Sequence, residues 1–286
     1  MKQIVVISGK GGTGKTIFSS SFAVLAKNSV AADCDVDAAN MHLLLHPQIE
    51  ERHEFMAGQK AVLDKEQCIK CGKCVEACRF EAISDGYIID AAACEGCGLC
   101  QRICPVKAIK MKPSTAGEWF VSKTKYGPFI HARLGIAEDN SGKLVSKVRE
   151  AAKKKAEDIN ASYIIVDGPP GTGCPVMAAI TGVDLAVVVT EPTVSGVHDL
   201  KRVAEVLGHF KIKAGIVVNK SDINTEKTSE IKEFALKSGM IFFGELSFSK
   251  EVSDAVINCK PPVEYCGENI TGKIKEIWKS VETASN

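Results

Sequence analysis

Residues 4–16 read Ile-Val-Val-Ile-Ser-Gly-Lys-Gly-Gly-Thr-Gly-Lys-Thr. The apolar start predicts a buried strand, and the periodic apolar stretch 17–27 that follows predicts a helix. Between them lies G-x4-G-K-[ST], a pattern that is informative when a strand precedes it and a helix follows it. This stretch therefore predicts a loop that holds the phosphates of a nucleotide.

Each position of this loop has a predicted role. Glycines let backbone N–H groups approach phosphate oxygens, and the helix N-terminus adds a favourable dipole. Lys15 is expected to reach the β- and γ-phosphates, and Thr16 to offer its hydroxyl to Mg²⁺. The predicted nucleotide-binding residues of the loop are Gly11, Gly12, Thr13, Gly14, Lys15 and Thr16.

Short apolar runs alternate with amphipathic stretches along most of the chain, which predicts an α/β fold with a mostly parallel sheet and helices on both faces. The predicted strands are 4–8, 30–33, 163–167, 185–190, 214–219 and 241–246. The predicted helices include 17–27, 144–159 and 197–210. The stretch 270–281 has apolar residues at helical spacing, and we expect a helix that packs on the core and does not lie on a membrane surface.

The alternation is interrupted between residues 58 and 112, where the sequence is rich in cysteine and repeats itself. The pattern C-x2-C-x2-C-x3-C begins at Cys68 and again 26 residues later at Cys94. Internal repeats of this kind mark a separate small module. We therefore predict an inserted domain at 58–112 and a discontinuous main domain at 1–57 plus 113–286.

The cysteine repeat closely resembles the bacterial two-cluster ferredoxin, which implies an α+β insert carrying two [4Fe–4S] clusters. The resemblance implies crossed ligation, because the fourth cysteine of each run ligates the other cluster. The expected ligands are Cys68, Cys71, Cys74 and Cys104 for one cluster and Cys94, Cys97, Cys100 and Cys78 for the other. Zinc or structural thiols are the alternatives, although zinc favours two CxxC pairs with a longer gap.

A second lysine in the phosphate loop, Lys10, carries a further resemblance. The stretch 10–16 resembles the deviant Walker A motif of the MinD/ParA/Mrp class, which includes the nitrogenase iron protein. That resemblance implies an ATP-dependent homodimer in which Lys10 reaches across to the partner's nucleotide, as an arginine finger does. It also implies that hydrolysis is slow without a partner.

Two later segments resemble the switches of the same class. The stretch 33–37, Asp-Cys-Asp-Val-Asp, looks like the first switch. The resemblance implies that Asp35 positions the attacking water, with Asp37 in reserve. The strand ending at Asp167 looks like Walker B and the second switch, so Asp167 is expected to hold Mg²⁺ through water. The implied catalytic residues are Lys10, Lys15 and Asp35.

The segment Asn219-Lys220-Ser221-Asp222 has the letters of the guanine-reading motif N-K-x-D. The MinD/ParA/Mrp class also places an asparagine after the same strand to hold adenine. We expect Asn219 to contact adenine, and therefore ATP, with GTP as the alternative.

Composition and sequence features indicate which partners and which cellular compartment to expect. A net charge of +1 gives no broad basic surface, so no nucleic-acid partner is expected. No secretory leader and no apolar run of about 18 residues is visible, so neither export nor a membrane span is expected. Twelve cysteines in such a chain suggest metal or redox chemistry in a reducing, cytoplasmic compartment. Cys174 is a weaker candidate for a cluster between subunits.

Three functions follow from this sequence. The main hypothesis is a dimeric ATPase switch that couples nucleotide state to electron transfer toward an unidentified redox partner. The alternative is an iron–sulfur assembly or carrier ATPase that delivers a cluster to an apo-metalloprotein. The weaker alternative is a positioning ATPase of the Min or Par type. It ranks last because no basic amphipathic tail, which would bind a surface, is visible.

Overall fold

The structure is a computed structural model that describes residues 1–135, 138 and 140–286. The chain forms two compact units. The large unit comprises Met1–Arg52, Trp119–Ala132 and Ser141–Asn286, and the small unit comprises His53–Glu118 and Arg133–Asn140. Each unit is therefore built from separate stretches of the chain.

The strands are β1 Lys2–Ser8, β2 Ser29–Asp33, β3 Gln48–Leu63, β4 Ile109–Thr124, β5 Gly127–Leu134, β6 Tyr163–Pro170, β7 Leu185–Thr190, β8 Ala214–Asn219 and β9 Ile241–Leu246. Within the described residues they form a nine-stranded sheet in the order β3-β4-β5-β2-β6-β1-β7-β8-β9. From β5 to β9 in this order, every neighbouring pair is parallel. The predicted α/β fold with a mostly parallel sheet is confirmed, and all six predicted strands are present.

The helices are α1 Lys15–Leu25, α2 Met41–Leu45, α3 Lys73–Glu76, α4 Leu99–Ile103, α5 Ser141–Asp158, α6 Cys174–Ile180, α7 Val194–His209, α8 Thr225–Ser238, α9 Lys250–Ile257, α10 Pro262–Tyr265 and α11 Glu268–Ser285. The helices of the large unit cover both faces of the central strands. Ile4 and Val6 point to one face of β1, Val5 and Ile7 point to the other, and all four are 0% exposed. Burial on both faces explains why these strands are continuous apolar runs.

Helix α11 packs on the core, as its sequence pattern predicted. Ile274, Ile277 and Trp278 are buried in the same cluster as Ile4 and Phe22. The rings of Phe22 and Trp278 lie 5.2 Å apart between centroids. No helix among the described residues is both long and apolar enough to cross a membrane.

The small unit contains the cysteine repeat. Helices α3 and α4 each begin directly after a glycine with positive φ, +81° at Gly72 and +73° at Gly98. A left-handed conformation is costly for residues with a Cβ, so glycine suits both corners. Ala82, Ile83 and Ile109 form a compact apolar cluster together with Cys74 and Cys94. The two halves of the repeat therefore share one core.

The small unit is larger than the predicted insert. The small unit runs from His53 to Glu118 and includes the segment Arg133–Asn140, while the domain bounds at 58 and 112 stay a prediction. The unit is larger because β3 and β4 are sixteen-residue strands that continue past the predicted boundaries. These strands were not predicted, because the first half of β3 is charged and exposed and has no apolar run to mark it.

A core substitution in α11 tests this packing. Ile274→Ala should lower the free energy of unfolding by about 2–5 kcal/mol, because it leaves a cavity beneath a fully buried side chain. Denaturant titration followed by tryptophan fluorescence measures the change. Leu236→Ala is the matched control, since Leu236 is 81% exposed and should shift stability by less than about 0.5 kcal/mol. Equal effects of the two substitutions would contradict the placement of α11.

Candidate functional site

The phosphate loop joins the carboxyl end of β1 to the start of α1, as the sequence predicted. Gly12 and Gly14 have φ values of +80° and +93°, a region that L-residues with a side chain rarely adopt. Gly14 also has no room for a Cβ, because the side-chain amide of Asn219 lies against its α-carbon. Helix α1 begins at Lys15, so its N-terminal N–H groups are available at the loop.

Lys15 lies buried at the start of α1 and forms an ion pair with Asp35, 3.1 Å from Nζ to Oδ2. Burial lowers the pKa of Lys15, but the carboxylates of Asp167 and Asp35 outweigh burial and leave the pKa raised. The lysine is therefore held as a cation. Its partner is a residue that the sequence assigned to the first switch.

Thr16 donates a hydrogen bond from Oγ1 to Oδ2 of Asp167 at 2.8 Å. Asp167 is fully buried within β6, and its Oδ1 has no hydrogen-bond partner among the described residues. Burial raises the pKa of Asp167, and the positive charge of Lys15 opposes that shift. An unpaired buried carboxylate oxygen beside a hydroxyl is a suitable donor set for Mg²⁺ and its waters, so these residues fit the predicted ion.

Asp33 lies in the site, although the sequence named it only as the first residue of the stretch 33–37. It is fully buried at the end of β2, level with Asp167 on the neighbouring strand. Its carboxylate accepts the backbone N–H groups of Asp35 and Met41, each at 3.1 Å. Burial and the nearby Asp167 raise the pKa of Asp33 well above its ordinary value. Asp33 thus anchors both ends of the segment that carries Asp35 and Asp37.

Lys15, Thr16 and Asp35 line one cavity of about 540 Å³, while Asp33 and Asp167 are not among its described lining residues. Asp35 and Asp37 lie on one wall, and Pro169 and Pro170, which follow Asp167, lie on another. The exposed Leu43 contributes an apolar portion of the lining. The cavity lies at the carboxyl ends of parallel strands, where ligands bind in open α/β sheets.

A second cavity, of about 280 Å³, shares Gly12, Gly14 and Ile17 with the first. Asn219 lines it, but its Nδ2 donates to the carbonyl oxygen of Thr13 at 2.9 Å. The Oδ1 of Asn219 accepts the backbone N–H of Lys220 at 3.0 Å. Asn219 therefore braces the phosphate loop while it borders the pocket.

The loop after β9 also lines this second cavity. Ser247, Phe248 and Ser249 contribute to the wall, together with Val252 and Val256 of the next helix. The sequence did not identify these residues, because the loop lacks the proline that often marks this position in the resembled class. The pairing of β8 with β9 places the end of β9 beside Asn219, and the sequence alone does not show that pairing.

Lys10 points away from Lys15 toward the start of α7. Its Nζ donates to Ser195 Oγ at 3.1 Å and to Thr193 Oγ1 at 3.5 Å. The carboxylate of Glu191 lies 3.8 Å from the same nitrogen and also pairs with Lys220 at 2.6 Å. In a single chain, Lys10 is thus held by a polar segment and not by the phosphate loop itself.

The cysteines of the two predicted ligand sets have different surroundings in the small unit. Cys78 lines a cavity of about 190 Å³ together with Cys94, Cys97 and Cys100. This is one of the two crossed sets that the sequence predicted, with Cys78 coming from the first run. In the other set, Cys68 and Cys104 accept backbone N–H groups at their sulfurs, at 3.4 and 3.2 Å.

Among the described residues, no three His, Cys, Asp or Glu side chains are gathered closely enough to hold a single metal ion. The cavity at Cys78 is a different kind of feature, since thiolates around an iron–sulfur cluster stand farther apart than the ligands of one ion. The binding of clusters by this unit stays a prediction.

The remaining cysteines and histidines do not join the site. Cys174 is exposed at the start of α6, and Cys34 is buried, where burial first and Asp33 second raise the pKa of its thiol. His131 stacks on Phe129 with 4.8 Å between ring centroids, and burial lowers its pKa to about 4. These residues pack in the large unit.

Comparison with known proteins identifies the family. The CobQ/CobB/MinD/ParA nucleotide-binding domain matches residues 4–263. The chain belongs to this family. The uncharacterized protein MJ0578 of Methanocaldococcus jannaschii is 35% identical over 98% of this chain and 96% of its own length. Membership agrees with the nucleotide-binding geometry described above.

Solved structures share the fold. MinD of Pyrococcus horikoshii, in complex with Mg-ADP, has a TM-score of 0.60 and 18% identity, over 100% of this chain and 97% of that one. MinD of Aquifex aeolicus, from a MinC:MinD cell-division complex, has a TM-score of 0.58 and 19% identity, over 99% and 96%. The expected MinD/ParA resemblance is confirmed at the level of fold and family.

The carboxylate of Asp167 can be tested directly. Asp167→Asn should weaken Mg²⁺-dependent nucleotide binding by about 10- to 100-fold, because it removes the charge that holds the ion's waters. Titration of a fluorescent ATP analogue at several Mg²⁺ concentrations gives the shift. Asp158→Asn, at the exposed end of α5, serves as control. An unchanged Mg²⁺ dependence in Asp167→Asn would contradict the assignment.

Proposed function

We propose that this protein is a Mg²⁺-dependent ATPase that works as a switch, in which nucleotide state controls dimerisation and partner binding. The observation that carries the proposal is the meeting of Lys15 with Asp35, and of Thr16 with Asp167, beside one cavity. One buried cation, one hydroxyl and two carboxylates are the groups that phosphoryl transfer to water requires.

The chain's own residues have defined tasks in this proposal. The loop N–H groups and Lys15 bind the phosphates, and Thr16 and Asp167 are the residues that would hold Mg²⁺, whose positive charge would offset the charge of the phosphates. Lys15 leaves Asp35 as it turns to the nucleotide, so the carboxylate of Asp35 is released to orient a water. That water attacks the γ-phosphorus, and the bond to the bridging oxygen breaks to give ADP and phosphate.

The ion pair of Lys15 and Asp35 supports a switching role for the segment after β2. Lys15 and Asp35 form a buried ion pair. Removing one partner from such a pair leaves an uncompensated buried charge, which is strongly destabilising. When phosphate competes for Lys15, Asp35 loses its partner, and the segment anchored by Asp33 is the one that responds. Order changes in such segments are the usual output of nucleotide switches.

Lys10 is the residue we assign to the dimer. In the single chain it rests on Ser195 beside Glu191, about one-third exposed. In the proposed dimer it leaves these contacts and stabilises charge on the nucleotide of the second copy. Hydrolysis then requires the dimer, as is expected of a nucleotide-dependent switch.

The comparisons favour a positioning ATPase of the Min or Par type over redox coupling. The solved structures reported above include MinD in a cell-division complex with MinC, and the names of the similar proteins describe no redox activity. The electron-transfer function that the sequence suggested first has no support there. We therefore take nucleotide-controlled binding of a partner protein as the proposed output of the switch.

A second candidate function concerns the small unit, and one observation favours it. Cys78 shares a cavity with Cys94, Cys97 and Cys100, which is the combination that crossed ligation of a [4Fe–4S] cluster needs. We propose that this unit holds two such clusters. The switch would then control electron exchange with a redox partner or cluster delivery to an apo-metalloprotein.

Lys10→Ala tests the switch. It should reduce ATP hydrolysis at least about 1000-fold, the scale of an arginine-finger loss, while ATP affinity changes little. Hydrolysis is measured by phosphate release and affinity by fluorescence titration, with the oligomeric state followed by light scattering. Lys27→Ala, at an exposed lysine, is the matched control. Turnover equal to wild type in Lys10→Ala would refute the trans-lysine role.

The cysteine assignment is tested by metal analysis after anaerobic purification. Wild type should contain about eight iron and eight sulfide per chain, and Cys78→Ser should retain about half of each, because one crossed set loses a ligand. Cys174→Ser should match wild type, since Cys174 lies outside the repeat. Zinc in place of iron, or full iron in Cys78→Ser, would count against crossed ligation.

A further inference from the structure

The segment after β8 carries the letters of a guanine-reading motif, but its side chains are committed elsewhere. In such a motif the aspartate carboxylate accepts hydrogen bonds from the N1–H and the amino group of guanine. Here Asp222 Oδ1 accepts the backbone N–H of Phe248 at 2.6 Å. Asp222 is not among the residues that line the second cavity in the described part of the chain. The carboxylate is thus aimed at the protein.

The other two letters are engaged as well. Lys220 forms an ion pair with Glu191, 2.6 Å between Nζ and Oε1. Asn219 donates its amide to Thr13. Each side chain of the apparent motif therefore ties β8 to a neighbouring loop.

The contact of Asp222 fixes part of the wall of the second cavity. Phe248 lies between Ser247 and Ser249, and all three line the cavity. Ser249 is itself fixed as the N-cap of α9, where its Oγ accepts the N–H of Glu251. The backbone N–H of Ser221 also donates to Leu246 at 3.0 Å. The loop is consequently held at its start, at Phe248 and at its end.

We propose that Asp222 is a positioning residue for the loop Ser247–Ser249, and that this use of its carboxylate selects adenine over guanine. The inference rests on the proposed nucleotide function. Guanine would bring its N1–H and amino donors into a cavity whose lining combines Ile17, Val252 and Val256 with serine hydroxyls, and no carboxylate among its described lining residues is directed at them. A carboxylate accepts hydrogen bonds about twice as strongly as a neutral group, so a cavity in which none is directed at the base lacks the contacts by which guanine is recognised.

The test is nucleotide binding by wild type and two variants of Asp222. Fluorescence competition with ATP, GTP and xanthosine triphosphate gives the three affinities. Wild type should prefer ATP to GTP by at least about tenfold. Asp222→Ala should weaken ATP binding by about three- to tenfold, because the loop loses its anchor. Asp222→Asn should keep ATP affinity near wild type, since its amide oxygen can still accept from Phe248.

The opposite role of Asp222 has a distinct signature. If the carboxylate read guanine, wild type would prefer GTP, and Asp222→Asn would shift preference to xanthosine triphosphate, whose extra carbonyl suits an amide donor. Either result would overturn the proposal, as would unchanged ATP affinity in Asp222→Ala. Glu205→Ala, at an exposed position of α7, is the control.

Binding and hydrolysis separate this proposal from the one on which it rests. A wild type that binds ATP in preference to GTP but never hydrolyses it would refute the ATPase and support the role of Asp222. A wild type that binds no nucleotide would overturn both.

Discussion

A buried cluster of opposite charges lies at the carboxyl ends of the central strands, and the site depends on it. Lys15 is surrounded by the carboxylates of Asp33, Asp35 and Asp167, and the positive charge makes their close approach tolerable. Burial alone would favour the neutral form of each group. Lys15 pairs with Asp35, Thr16 donates to Asp167 and two backbone N–H groups donate to Asp33, so in the proposed switch a phosphate that takes Lys15 away would change the rest.

That coupling explains how nucleotide could be sensed at a distance from the phosphates. Asp33 accepts backbone N–H groups from Asp35 and Met41, the two ends of a seven-residue segment, so this one carboxylate links both ends. Lys10 is held on the other side of the loop by Ser195 and Glu191. In the proposed dimer, nucleotide bound in this one cavity would therefore affect both Lys10 and the segment after β2, which a second copy of the chain would contact.

The small unit differs from the large unit in how its core is built. Its apolar core is small, with Ala82, Ile83 and Ile109 as buried members, and cysteines supply part of the packing. Domains with little apolar surface to bury commonly need metals or crosslinks to be stable. A unit of this composition would gain folding free energy from cluster binding, which links its stability to its metal content.

Local pattern was enough to predict the strand, phosphate loop and first helix, because each depends on residues near one another in sequence. The same holds for the buried strands and for α11, whose periodicity reports its packing face. It does not hold for β3, whose charged residues form a strand through pairing with a distant partner.

The site shows the same division. The sequence predicted roles for Lys15 and Thr16 from the phosphate-loop motif and for Asp167 from a family resemblance, yet the hydrogen bond from Thr16 to Asp167 joins residues 151 apart. The anchoring role of Asp33 and the contact of Asp222 with Phe248 had no local signal. Such contacts are set by which strands lie side by side and in what register, and only the tertiary structure decides that.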